Sequence, residues 1–248
     1  MELSENTALI PSSVPYPCPS HLETLNTMDQ LFVYKEETVA EHLAEVCCGI
    51  KPVNSYFVTD GTGNKVFSIL EDSDCGERCC CGGGRFFTMN VTDHSNLKVI
   101  RLVHPSVCCC ASHELEVQSP PGIAIGYIRQ NWYCCLSKFT VENERGEPAF
   151  KINRPFDCCI SCMDHNYELL SLNEEATERP FGNIIRSSSC CGSNADFVLR
   201  FPRNLDVKMK ATLMGACVLI DYVNYQTSHG EPLIATFISL AFGYLKMY

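Results

Sequence analysis

Tyr56-Phe57-Val58-Thr59-Asp60, then a turn through Gly61-Thr62-Gly63, then Lys65-Val66-Phe67-Ser68-Ile69 reads as a strand, a polar turn and a strand. Side chains alternate between the two faces of an extended chain, and these apolar residues fall at period 2. The pattern recurs twice. Phe86-Phe87-Thr88-Met89-Asn90-Val91 leads through 92–96 to Leu97-Lys98-Val99-Ile100-Arg101-Leu102. Lys138-Phe139-Thr140-Val141-Glu142-Asn143 leads through 144–147 to Ala149-Phe150-Lys151-Ile152. Two more strands, 113–118 and 122–130, flank Pro120-Pro121. Strands joined by turns this short pair antiparallel, since a parallel pair needs a long crossover. About ten short strands in one domain avoid exposed edges best by closing into a barrel or a sandwich.

The alternation stops at Val207. Residues 211–220, with Ala211, Leu213, Met214, Gly215, Ala216, Cys217, Val218, Leu219 and Ile220, are apolar on every side of a helix expected over about 207–223. A helix apolar all round is buried, in protein or in lipid. A bilayer needs about 20 apolar residues, and Lys208, Lys210 and Asp221 close this run too early to cross alone. A second run, 233–245, is interrupted by Thr236, Ser239 and Gly243. Before the strands, residues 1–20 form a tail kinked by Pro11, Pro15, Pro17 and Pro19. Leu22, Leu25, Met28 and Leu31 then recur at three-residue spacing, predicting a short amphipathic helix leading into 31–34.

The chain has 248 residues, 46% of them hydrophobic, enough for a packed core. Its formal charge of −10, without a basic stripe, argues against nucleic acid as a partner. The start carries Glu2 and Glu5 and no apolar run, so no secretory signal is read there and a reducing compartment is expected. Fifteen of the 18 cysteines fall into six clusters: Cys47 and Cys48; Cys79, Cys80 and Cys81; Cys108, Cys109 and Cys110; Cys134 and Cys135; Cys158, Cys159 and Cys162; Cys190 and Cys191. Neighbours on an extended chain point apart and do not readily bridge each other. Zinc is weakly signalled, since only Cys159-x-x-Cys162 and Cys75 with Cys79 approach ligand spacing. Two readings stay open: small apolar residues at strand ends, favoured for Cys217, and S-acylation, favoured for the triplets 79–81 and 108–110. The seven histidines are scattered singly and read as surface or strand-end residues. Cys110 with His113 lacks a third orienting group, and no hydrolase, P-loop or zincin motif occurs, so no enzyme is expected.

Glu114-Leu115-Glu116-Val117-Gln118-Ser119-Pro120-Pro121-Gly122, Ile125-Gly126-Tyr127-Ile128 and Trp132 resemble the phospholipid scramblase family. So do Lys138-Phe139-Thr140, the stretch 164–172, Phe201-Pro202, 205–211, and Gly215-Ala216-Cys217 with Leu219-Ile220-Asp221. The resemblance runs from about residue 17 to 225. It implies a mainly β, antiparallel 12-stranded tubby-like barrel enclosing a C-terminal hydrophobic helix. The chain then divides into a flexible tail (1–20), the barrel domain (21–225) and a divergent apolar tail (226–248).

The implied activity is ATP-independent, calcium-responsive, bidirectional movement of phospholipids between leaflets. The alternative is an acyl-anchored peripheral adaptor that binds lipids or proteins without transporting lipid. Membrane phospholipids are the implied partners, with proteins reached through the proline-containing tail, at the cytoplasmic face of the plasma membrane or another cellular membrane. The implied cofactors are calcium and covalent palmitate. The family's paired acidic residues appear here as Asn194 and Asp196, and as Asn204 and Asp206, with Arg200 and Arg203 in the same stretch. Calcium affinity follows carboxylate number, so weak binding is expected. The family's acylated cluster is reduced to Cys108, Cys109 and Cys110, followed by Ala111 and Ser112. Three thiols still suffice for the two acyl chains that lasting attachment needs.

Overall fold

The computed structural model describes residues 20–36, 52–74, 76, 78, 84–107, 112–131, 138–154, 164–172, 179–187 and 195–226. Twelve strands close a single antiparallel barrel: β1 (Gln30–Glu36), β2 (Ser55–Thr59), β3 (Lys65–Asp72), β4 (Phe87–Asp93), β5 (Lys98–His104), β6 (Glu114–Ser119), β7 (Ile123–Asn131), β8 (Lys138–Asn143), β9 (Pro148–Asn153), β10 (His165–Ser171), β11 (Gly182–Arg186) and β12 (Phe197–Arg200). Each strand pairs with the next in sequence, and β1 pairs with β12 to close the ring. Closure leaves no edge to template aggregation.

The recurring hairpin signal has a common physical basis. In β2–β3, Asp60 Oδ1 accepts the N–H groups of Thr62 (2.8 Å) and Asn64 (2.9 Å). In β4–β5, Asp93 Oδ1 accepts from Ser95 and Leu97. In β8–β9, Asn143 Oδ1 accepts from Arg145 and Glu147. Each turn then passes through one left-handed residue: Gly63 (φ 86°), Asn96 (φ 58°) and Gly146 (φ 74°). Glycine and asparagine tolerate that backbone best. Hydrogen bonds to the charged form, led by the Thr62 hydroxyl, hold the exposed Asp60 carboxyl down at about 2.

The barrel axis is filled by helix α1 (Val207–Asp221), of which every residue except Lys208 is buried. Asp206 caps its start by accepting from the N–H groups of Lys208 and Met209. Gly126 on β7 lets α1 lie against the wall, because a Cβ there would sit 2.3 Å from Thr212 Oγ1 and 3.1 Å from the Glu142 carbonyl. Residues 20–27 form the short helix the spacing predicts, in its tighter 3₁₀ form. Leu22 and Leu25 lie fully buried in the same core as α1.

Candidate functional site

Up-and-down connectivity gives the barrel two unlike mouths. Connections leaving β2, β4, β6 and β8 are short turns at the mouth where α1 begins. Connections leaving β1, β3, β5, β7, β9 and β11 open at the mouth where α1 ends. Every cysteine except Cys18 and Cys217 falls, by sequence position, in this second group of connections.

The cysteine mouth is built on buried charge. Glu71, at the inward end of β3, meets Arg85 at 2.7 Å. It also accepts from the Asn54 N–H (3.0 Å), the Asn54 amide and the Ser73 hydroxyl (2.6 Å). Burial alone would raise the Glu71 carboxyl, but the Arg85 guanidinium and these donors outweigh it and hold it below the usual range. The Arg85 cation lies 5.6 Å from the Phe87 ring centroid and 5.2 Å from that of Tyr222, just beyond α1. Burial raises the Tyr222 phenol to about 12.

His104, fully buried at the end of β5, stacks on Phe87 with centroids 4.6 Å apart. Its Nδ1 is 3.0 Å from the Arg85 carbonyl and its Nε2 is 2.9 Å from His113 Nδ1. A carbonyl only accepts, so His104 carries its proton on Nδ1 and the His113 Nδ1–H donates to His104 Nε2. Burial, then the adjacent His113 and Arg85, push His104 down to about 4. Burial also lowers His113. These two rings join the strand ends on either side of the connection that contains Cys108, Cys109 and Cys110.

Across the same mouth, Asp221 at the end of α1 meets Lys35 Nζ at 3.2 Å and accepts from the Tyr56 hydroxyl at 2.8 Å. Asp196 accepts the Lys35 N–H at 2.7 Å, and burial with the nearby Asp221 charge raises its carboxyl. At the opposite mouth the buried cation is Lys210. Its Nζ donates among the carbonyls of Leu25 (2.9 Å), Asn26 (3.2 Å), Met28 (2.8 Å) and Arg203 (2.8 Å), tying the 3₁₀ turn to α1. Burial lowers its ammonium, against the opposing pull of Asp29 and Asp206.

A family model described as Scramblase matches residues 9–227. Human phospholipid scramblase 1 is 38% identical over 226 residues, covering 88% of this chain and 69% of the human protein. The mouse phospholipid scramblase 1 is 37% identical, covering 88% and 67%. Bovine phospholipid scramblase 2 is also 37% identical, covering 88% and 75%. The chain belongs to the scramblase family. No solved structure matches it.

The residues expected to serve a scramblase are distributed unevenly. The helix residues Ala211, Leu213, Met214, Gly215, Ala216, Cys217, Val218, Leu219 and Ile220 are all buried inside the barrel. Burial drives the Cys217 thiol far above its ordinary value, so it packs as a small apolar group. Among the described residues no helix is long and apolar enough to cross a membrane. Cys79, Cys80, Cys81, Cys108, Cys109, Cys110 and Asn194 lie outside the described residues. Of the calcium candidates, Asp196 stands beside Asp221 at the end of α1, whereas Asn204 and Asp206 stand at its start. A 15-residue helix is about 22 Å long, so these two carboxylates do not converge on one ion. One is engaged by Lys35 and the other by the first turn of α1, which is the arrangement of a strand, a turn and a helix cap.

The sequence predicts single histidines at surfaces and strand ends. His104 and His113 are at strand ends but bonded to each other, and His104 is wholly buried. A signal was present: His104 falls in phase with the inward residues Ile100 and Leu102, as Glu71 does with Phe67 and Ile69. A polar residue at a core-facing position of a strand marks a buried partner.

Proposed function

We propose that this protein moves phospholipids between membrane leaflets without ATP, in both directions, while attached to the membrane from one side. The observation that carries the reading is the 37–38% identity, over 226 residues, to proteins named phospholipid scramblases. The barrel interior is occupied by α1 and by inward side chains from all around the wall, such as Tyr56, Phe67, Phe139, Tyr167 and Phe197. Lipid therefore has no path through the barrel, and exchange has to arise from disturbance of the bilayer at the protein surface. Covalent palmitate on Cys108, Cys109 and Cys110, or on Cys79, Cys80 and Cys81, would supply attachment. Calcium enters this reading only as the weak response the resemblance implies, and no step is assigned to it. Nothing in this function calls for a catalytic group acting on a covalent bond. The cytoplasmic face is the expected location, and the proline-containing tail the expected contact for proteins.

A second reading, the acyl-anchored adaptor, is favoured by one observation: α1 is held inside the barrel at both ends, by Lys210 and by Asp221. Transbilayer exchange of fluorescent lipid in reconstituted vesicles, with and without millimolar calcium, separates the two. Exchange above that of protein-free vesicles supports the scramblase. Folded, vesicle-bound protein that produces none supports the adaptor.

A further inference from the structure

Four large hydrophobic side chains among the described residues are well exposed, two at each mouth. Leu97 (62%) and Ile123 (60%) stand at the hairpin mouth, in the β4–β5 turn and at the first residue of β7. Leu70 (56%) and Phe86 (40%) stand at the cysteine mouth, near the end of β3 and immediately before β4. We propose that the cysteine mouth is the face that meets the lipid surface, with Leu70 and Phe86 as its apolar contacts, and that the hairpin mouth points away. The proposal rests on the membrane reading above and specifies its geometry.

The presentation of Leu70 and Phe86 follows from the chemistry behind them. Successive side chains of an extended chain face opposite ways. Glu71 and Arg85 point inward and are locked to each other at 2.7 Å, and their neighbours Leu70, on β3, and Phe86, just before β4, are exposed. The buried ion pair thus goes with two outward apolar side chains at the same mouth. Exposed hydrophobic groups are unremarkable when single and informative when they share a place with other signals.

Two such signals coincide here. The connection between Leu70 and Phe86 contains Cys75, Cys79, Cys80 and Cys81, and all five other cysteine-bearing connections open at this mouth. The described chain ends at Gln226, directly beyond the end of α1, and its apolar run 233–245 follows from there. The turns leaving β2, β4, β6 and β8 at the hairpin mouth carry no cysteine.

Charge defines the kind of surface. Among the described residues of the cysteine mouth, Glu36, Asp72 and Asp74 are exposed, whereas Lys35, Lys138, Arg154 and Arg186 are partly buried and Arg129 is paired with Glu114 and Glu142, in a chain whose net charge is −10. Attraction to an anionic bilayer is therefore not the driving force, and the matching surface is a zwitterionic phosphatidylcholine membrane met through apolar contact.

The test uses the full chain, made in a host that acylates it, with p-benzoylphenylalanine placed singly at Leu70, Phe86, Leu97 or Ile123. All four side chains are exposed, so each variant keeps the core intact. Protein on phosphatidylcholine vesicles containing radiolabelled lipid is irradiated, and lipid adducts are counted per bound protein. The expected result is at least fivefold more adduct from positions 70 and 86 than from 97 and 123, unchanged by 0.5 M salt. Equal or reversed yields overturn the orientation. Vesicle-bound protein with no adduct at any of the four positions also overturns it, while leaving membrane attachment standing. Failure of every variant and of the unmodified chain to co-sediment with vesicles overturns the membrane reading and the orientation together.

Discussion

The two mouths of this barrel solve opposite problems with different chemistry. The hairpin mouth is built locally: an Asp or Asn side chain folds over its own turn, one left-handed residue closes it, and the strands return. The cysteine mouth is built over long sequence separations, with Glu71 on Arg85, His104 on His113, and Asp221 on Lys35 and Tyr56. The lesson is that one end is made of solvated turns that cost little to change. The other is a low-dielectric network in which each group depends on its partner. Lys210 is the exception at the hairpin mouth, a buried cation whose ammonium donates to four main-chain carbonyls.

That contrast sets an order of effects. Arg85→Met, leaving Glu71 buried and unpaired, is expected to cost about 3–5 kcal/mol. Pairing it with Glu71→Leu should recover most of that loss in urea unfolding, because no charge is then stranded. A double variant no more stable than the single one would show that the network acts through something other than the ion pair.

Acid comes next. His104 is held at about 4 in the folded protein against an ordinary 6.5. The unfolded chain therefore takes up a proton, as pH falls below about 6.5, that the folded protein declines until about pH 4. Stability present at neutral pH is lost across that window, by about 3 kcal/mol for this group. Glu71, whose carboxyl is held low, loses its contribution in the same direction. Urea midpoints at pH 7 and pH 4.5 should diverge strongly for the natural chain and less for His104→Gln. An equal pH dependence in both would remove the histidine pair from the account.

At the hairpin mouth the expected effects shrink. Gly63→Ala places a Cβ at φ 86° with open space around it, so only backbone strain is paid, about 1 kcal/mol. A loss above about 3 kcal/mol would break the distinction between the two mouths. Smallest of all, Asn204→Asp adds one exposed carboxylate beside Asp206 and should tighten calcium binding only severalfold by titration calorimetry. A gain of a hundredfold would mean that Asn204, Asp206 and Asp196 share an ion after all.

The sequence makes one mouth far more legible than the other. Period-2 alternation and polar turns reveal the β2–β3, β4–β5 and β8–β9 hairpins, and the all-apolar run reveals α1, because those signals are local. The number of strands and the closure of β1 on β12 come from pairing between residues such as Gln30 and Arg200, which no local window contains. The same reason hides the buried network. Lys210 reads as the polar flank of a helix, yet its ammonium is inside, because the 3₁₀ turn at 20–27 brings carbonyls to it from across the chain. Leu22 and Leu25 were legible as apolar but not as a 3₁₀ turn, since three-residue spacing suits both helix types.

The central claim is that α1 remains the core of the barrel while the protein works on a membrane. Photo-methionine tests it directly, because Met214 is fully buried in the middle of α1 and the diazirine analogue is nearly isosteric. Vesicle-bound protein is irradiated under conditions that give lipid exchange, and the adducts of Met214 are mapped by mass spectrometry. The account predicts adducts between Met214 and peptides of the barrel wall, with no lipid attached. Lipid adducts at Met214 would contradict it and place the helix in the bilayer.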